Sequence, residues 1–190
     1  MPRRSLLRIA VVVMALAAAG CGGGGDERPS AEEQWAGEIC TNIDSWRTDV
    51  DAITRNTADV LTQPGATRED LESGIQDGLD ATKELTDELR ASVPPDTPEG
   101  MQAKTEVNAF LDDVRTADKR VRNALADLPE GAGLPQVVTQ LAGLATTLQS
   151  TIEGGRALVE DLTDLGGALK DGFENAESCK QLREAAPDSP

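Results

Sequence analysis

Four stretches of this chain repeat apolar residues at helical spacing, and the first three each stop at proline. A seam recurring about every 3.5 residues buries one face of a helix against other helices. A strand cannot use it, because its faces alternate every second residue. In the first stretch the seam is Ile39, Ile43, Trp46, Val50, Ile53, Thr57 and Val60. Ser30-Ala-Glu-Glu33 precedes it, with a hydroxyl and a carboxylate suited to a capping box, and Pro64-Gly65 stops it. Thr67-Arg-Glu-Asp70 opens the second stretch in the same way; Leu71, Ile75, Leu79, Leu85 and Leu89 follow, up to Pro94-Pro95. The third takes Thr97 as its cap and Pro98 at the first helical position, where the missing N–H costs nothing. Its seam is Val107, Phe110, Val114, Ala117, Val121, Ala124 and Leu128.

The fourth stretch begins at Pro135, after the loop Pro129–Gly133. Val138, Leu141, Ala145, Leu148, Ile152, Gly155, Val159, Leu162, Gly166, Leu169, Phe173 and Ala176 hold one heptad phase. Unbroken phase predicts one helix of about 45 residues, near 68 Å at about 1.5 Å per residue. The glycine pairs at 154–155 and 166–167 oppose it, at up to about 1 kcal/mol per glycine in a helix interior. The expectation is a single helix bent at its glycines, with a break at Gly154-Gly155 as the alternative. Short loops make successive helices neighbours of opposite direction. The predicted fold is therefore all-α: an antiparallel up-down-up-down four-helix bundle over residues 30–184, with a long fourth helix. A disordered tail is expected over 185–190.

The first 20 residues differ in kind. Arg3, Arg4 and Arg8 precede an apolar run from Ile9 to Ala19. At 11 residues the run is too short to cross a bilayer, which takes about 20; the build is that of a cleaved export signal. Ala18-Ala19-Gly20-Cys21 resembles the lipobox of bacterial lipoproteins, with Ala18 where the family prefers Leu and the nearest Leu at position 16. The resemblance covers the leader alone. It implies removal of residues 1–20, a diacylglyceryl group on Cys21, and residence on the outer side of a cell membrane. Gly22 to Gly25, then Asp26 to Pro29, suit a flexible post-lipid tether over 21–29. Arg3-Arg4-Ser5-Leu6-Leu7-Arg8 also resembles the twin-arginine export motif; a generic basic leader is the other reading, and both stay open.

Three of the 18 basic residues lie in that leader and none of the 34 acidic ones, so the remainder carries 15 against 34, a formal charge of −19. Such a surface repels nucleic acid and anionic head groups, which excludes DNA and RNA as partners. Cys40 and Cys179 are the two remaining cysteines of an exported chain and are expected to form a disulfide. In an up-down-up-down bundle both fall at the end where the tether joins. Cys40 is much nearer the far end of its helix than Cys179 is to the start of the fourth, so a bend or an overhang has to absorb the difference.

Chemistry is hard to find. There is no His and no Tyr, which removes the imidazole base, the imidazole ligand and most nucleophile-activating pairs. No phosphate loop, nucleophile elbow or zinc spacing occurs. No catalytic residue, metal ligand or cofactor is assigned, and the chain is expected not to be an enzyme. Asp70, Glu72, Asp77, Asp80, Glu84, Asp87 and Glu88 spread around the second helix as a solvated acidic face, and Asp49 and Asp51 lack the glycine and distal Glu of a calcium loop. Arg115, Lys119 and Arg122 form a basic stripe on the third helix, expected to pair with Glu72 and Asp77 of the second; docking of an anionic envelope partner is the alternative. Trp46 is expected in the core and Trp35 against the fourth helix near Cys179. The function expected is a lipid-anchored, non-enzymatic interaction or scaffold module of the cell envelope, meeting an envelope protein or polymer. The alternative is a ligand-binding lipoprotein serving a transporter or sensor, with its pocket at Gly155 and Gly166.

Overall fold

The computed structural model describes residues 28–129, 131 and 133–184. Cys21, the leader and the tail 185–190 lie outside the described residues. Among those described there are six helices and no strand: α1 (Ala31–Leu61), α2 (Arg68–Ala91), α3 (Pro98–Ala126), α4 (Leu134–Asp164), α5 (Gly167–Asn175) and α6 (Glu177–Glu184). The chain is all-helical.

The helix starts use the predicted caps. Ser30 Oγ accepts from Glu33 N at 3.1 Å, and Thr97 Oγ1 accepts from Gly100 N at 3.0 Å. At α2 the box is reciprocal: Thr67 Oγ1 accepts from Asp70 N at 3.2 Å, while Asp70 Oδ2 accepts from Thr67 N at 2.8 Å. Each cap satisfies amide donors that the helix itself leaves unpaired.

The expected continuous fourth helix is corrected to three. α4 runs straight through Gly154-Gly155 and stops before Gly166-Gly167, where both glycines take left-handed backbone, φ 83° and 59°. Only glycine adopts two such residues in succession without steric cost. The two pairs differ in what fills the space above them. A Cβ on Gly154 would lie 3.5 Å from the Phe110 ring, and one on Gly155 would lie 3.3 Å from Ile43 Cγ2, so neighbouring side chains brace the helix there. Nothing lies within 4 Å of such an atom on Gly166, and the chain turns. α1 and α4 consequently have the same length, 31 residues, or about 46 Å each at about 1.5 Å per residue. The break removes the length mismatch, and a second one at Ala176 lets α6 fold in.

α1 packs along α2 and α3 along α4, whereas α1 and α4 scarcely touch. Their place at that seam is taken by α5 and α6, which lie on the first half of α1. Gly172 sits so close that a Cβ on it would be 2.8 Å from the Glu32 carbonyl. Trp35 meets Phe173 edge-on, ring centroids 5.8 Å apart, and Cys40 is bonded to Cys179, 139 residues away. Trp35 and Trp46 are both buried, as expected.

The main core extends from this pole to Val50 and Val114; a separate smaller cluster is built on Leu71, Leu128 and Val137. Two seam positions are corrected. Val60 is 37% exposed at the end of α1; Val138 is 45% exposed and Val137 is fully buried in its place. A strict heptad presumes a supercoiled helix with about 3.5 residues per turn, while a straight one repeats at about 3.6. Counting back from buried Leu162 at about 3.6 per turn reaches Val137 after seven turns. Leu141 and Ala145 of the predicted seam lie outside the described side chains.

Candidate functional site: an apolar cavity between the helix pairs

The two core clusters do not join. Between them is a cavity of about 330 Å³, walled by α1, α2, α3 and α4. It arises because all four helices place short side chains at one level. α1 supplies Thr54, Thr57 and Ala58, α2 supplies Gly74 and Gly78, α3 supplies Ala117, and α4 supplies Thr147 and Thr151. The glycines of α2 stand one turn apart and act differently. At Gly74 a Cβ would fall 2.1 Å from Thr57 Oγ1, so this glycine lets α1 and α2 close tightly. At Gly78 it would meet nothing within 4 Å, so that backbone faces open space.

Larger side chains form the rest of the wall: Trp46, Val50, Ile53, Leu71, Ile75, Leu79, Val114, Val121 and Leu148. Three polar groups of the wall are already engaged. Trp46 Nε1 donates to Thr82 Oγ1 at 3.2 Å, and Thr82 Oγ1 donates to the Gly78 carbonyl at 2.8 Å. Thr151 Oγ1 donates to Thr147 O at 2.8 Å, one turn back along α4. With those hydroxyl protons given to helix carbonyls, the wall offers methyl and methylene surface and no free donor from these groups. An apolar occupant would break none of these bonds.

One charged residue lines the cavity, Asp118. Its two carboxylate oxygens accept from Arg122 Nε at 2.8 Å and Nη2 at 3.1 Å. That hydrogen-bonded pair raises the Arg122 pKa above its ordinary value, and Asp80 of α2 adds to the effect. Two of the five guanidinium N–H donors thus go to Asp118, whose carboxylate already offsets the Arg122 charge.

A second depression, of about 550 Å³, lies between α3 and α4 and includes Glu106, Asp113, Arg120 and Asp161. It is larger but more polar, so water fills it at little cost. Burying apolar surface distinguishes a ligand pocket from such a trough.

The residues singled out from sequence fall in three places. Cys21 lies outside the described residues. Cys40 and Cys179 are joined and fully buried, near the Trp35–Phe173 contact. Gly155 and Gly166 do not share a pocket: Gly155 is packed against Ile43 and Phe110, and Gly166 makes a turn. The interhelical pairing of the basic stripe is corrected as well. Arg115 pairs with Asp112 and Arg122 with Asp118, both within α3, while Arg68 takes Glu72 at 2.5 Å within α2. Every ion pair among the described residues joins positions three or four apart on one helix. A partner one turn away is reached without ordering side chains across a gap. The cavity's own glycines were not singled out from sequence. The available signal was Gly74, Gly78 and Thr82 at steps of four, an unbroken stripe of small residues on an otherwise leucine-rich helix.

Among the described residues no group of three carboxylate or cysteine side chains is placed to hold a metal ion, and no helix is long and apolar enough to cross a membrane. No family model, curated protein or solved structure matches the chain.

Proposed function

We propose that this chain is a lipid-anchored, extracytoplasmic ligand-binding protein that holds a small apolar or amphipathic molecule between its helix pairs. The observation that carries the reading is the 330 Å³ cavity, which is within the range of small-molecule sites and has a largely apolar wall whose Trp46, Thr82 and Thr151 donors are internally bonded. In this reading α1 to α4 form an antiparallel up-down-up-down bundle over residues 30–184, with α5 and α6 closing its tethered pole. Cys21 carries the lipid and residues 21–29 the tether, so the disulfide, the Trp35–Phe173 contact and the anchor share one end. Trp46 lies about 24 Å along α1 from Ser30 at about 1.5 Å per residue, so the cavity stands off from the membrane. No group lining it is equipped for bond-making, and the role is binding without catalysis.

The test uses the mature chain with Cys21 replaced by Ser and an uncharged apolar dye, N-phenyl-1-naphthylamine. Saturable binding with one site per chain is expected, accompanied by a change in Trp46 fluorescence. It should be lost in Gly78→Leu, which fills the cavity, with helicity unchanged. A dye that partitions without saturation, or binds Gly78→Leu equally, would refute the reading. The anchor is tested separately: Cys21→Ala should abolish incorporation of labelled fatty acid in cells, and persistent labelling would exclude lipidation at this residue.

The trough between α3 and α4 favours a second reading, a scaffold or interaction module for an envelope protein or polymer. Its residues Asp113, Arg120 and Asp161 offer both signs of charge on an accessible surface. Arg120→Glu should abolish a crosslinked envelope partner without affecting dye binding; an unchanged crosslink would remove this reading.

A further inference from the structure

We infer that the cavity selects its occupant by head-group charge: it takes a single-chain amphiphile whose head is neutral or cationic and rejects anionic ones. The inference rests on the binding reading above and adds the class of ligand. Its basis is the charge around the cavity. Among the described residues the lining contains one acid, Asp118, and no lysine or arginine. Arg122, the cation paired with that acid, is joined to Asp118 by two hydrogen bonds and also lies within the influence of Asp80. Two acids and one base therefore meet at this edge, and the wider surface has the same sign, with 34 acidic residues in the chain against 18 basic ones. A carboxylate or phosphate head brought here would lose hydration and gain no cation in exchange, which is the costly case for a charge. A cationic head would find acids, and a hydroxyl head could donate to the outer lone pairs of the Asp118 carboxylate.

The apolar part of the occupant follows from the interior. Trp46, Ile53, Ile75, Leu79 and Leu148 surround the space, and the Trp46 and Thr82 protons are internally bonded, so a plain hydrocarbon chain fits with little polar surface to compete for. The source is the bilayer to which the tether holds the domain. Because the cavity stands away from the tethered pole, such a lipid would be carried singly and out of the membrane.

Competition against bound N-phenyl-1-naphthylamine tests this with three probes of equal chain length: 1-decanol, decyltrimethylammonium and decanoate, each below its micelle concentration, at pH 8. In 10 mM salt decyltrimethylammonium should displace the dye at least ten-fold more tightly than decanoate, and decanol should displace it too. Screening should bring the two ions within about two-fold at 1 M salt, where the Debye length is near 3 Å. Asp118→Lys should reverse their order. Should that variant misfold, the salt series on the unmodified chain carries the test alone. Decanoate competing as well as or better than the cation would overturn the inference while leaving the cavity a binding site. Failure of all three, with no saturable dye binding, would overturn both.

Discussion

Reducing the Cys40–Cys179 bridge should cost several kcal/mol and should loosen the C-terminal helices before the rest. The bond closes a loop of 139 residues. In the chain-entropy description a loop of that span restrains the unfolded state by about 5 kcal/mol at 25 °C, a ceiling that measured bridges often fall below. A domain of this size is typically stable by about 5–15 kcal/mol, so the bridge would be a large share. Comparing oxidised with reduced wild-type chain is cleaner than substitution, because Cys→Ser would leave a buried hydroxyl seeking a partner. Both cysteines are fully buried, so reductant must be added to the unfolded chain before refolding. Urea denaturation should then give a loss of about 3–5 kcal/mol, with a larger m value because the released unfolded chain is more expanded. The loss should be uneven. α6 has eight residues and packs chiefly on α1, with Cys179 and Leu182 as its buried side chains. Amides of α5 and α6 should exchange faster in the reduced protein than those of α2 and α3. A loss under about 1 kcal/mol, or exchange raised equally everywhere, would refute this account of the bridge.

Four further outcomes follow from the packing and the caps. Gly172→Ala places a methyl 2.8 Å from the Glu32 backbone, which has no rotamer to yield, and should destabilise by about 1–3 kcal/mol in a thermal melt; an unchanged Tm would refute the close approach of α5 to α1. Gly154→Ala should stabilise by about 0.5–1 kcal/mol through helix propensity, since its methyl meets the Phe110 ring at an ordinary 3.5 Å. Gly155→Ala should gain less, being 3.3 Å from Ile43, and equal gains in urea titrations would show that the Ile43 contact is slack. Asp70 has its pKa lowered, first by the hydrogen bond from the Thr67 backbone and then by the Thr67 hydroxyl. A depressed carboxyl contributes stability above its unfolded pKa and loses that contribution as pH falls through the folded value. Asp70→Asn should therefore weaken the protein near neutrality and match wild type below the folded pKa; a difference that persisted undiminished to low pH would assign the effect to something other than charge.

Local features were legible because they depend on neighbouring residues. Ser30, Thr67 and Thr97 cap because each hydroxyl reaches an amide three residues ahead, whatever the rest of the chain does. The seams of α1 and α3 held from Ile39 to Val50 and from Val107 to Val114, where burial is complete or nearly so. The seams failed where the answer depended on something distant. Whether a glycine pair breaks a helix turned on Phe110 and Ile43 bracing one pair, while Gly166 of the other faces open space. Whether Arg115 and Arg122 paired across helices or within one turned on how closely α2 and α3 approach.

The apolar periodicity, the caps and the cysteine count determined on their own that the chain is helical, where most helices begin, and that positions 40 and 179 should be bonded. These are short-range or covalent matters, and residue spacing carries them. Only the tertiary structure decided that α4 ends at Asp164, that α5 and α6 fold onto α1, and that Gly74 and Gly78 have opposite surroundings. The cavity belongs to this second group. It is a shortage of side-chain volume summed over four helices at one level, and no single stretch of sequence contains that sum.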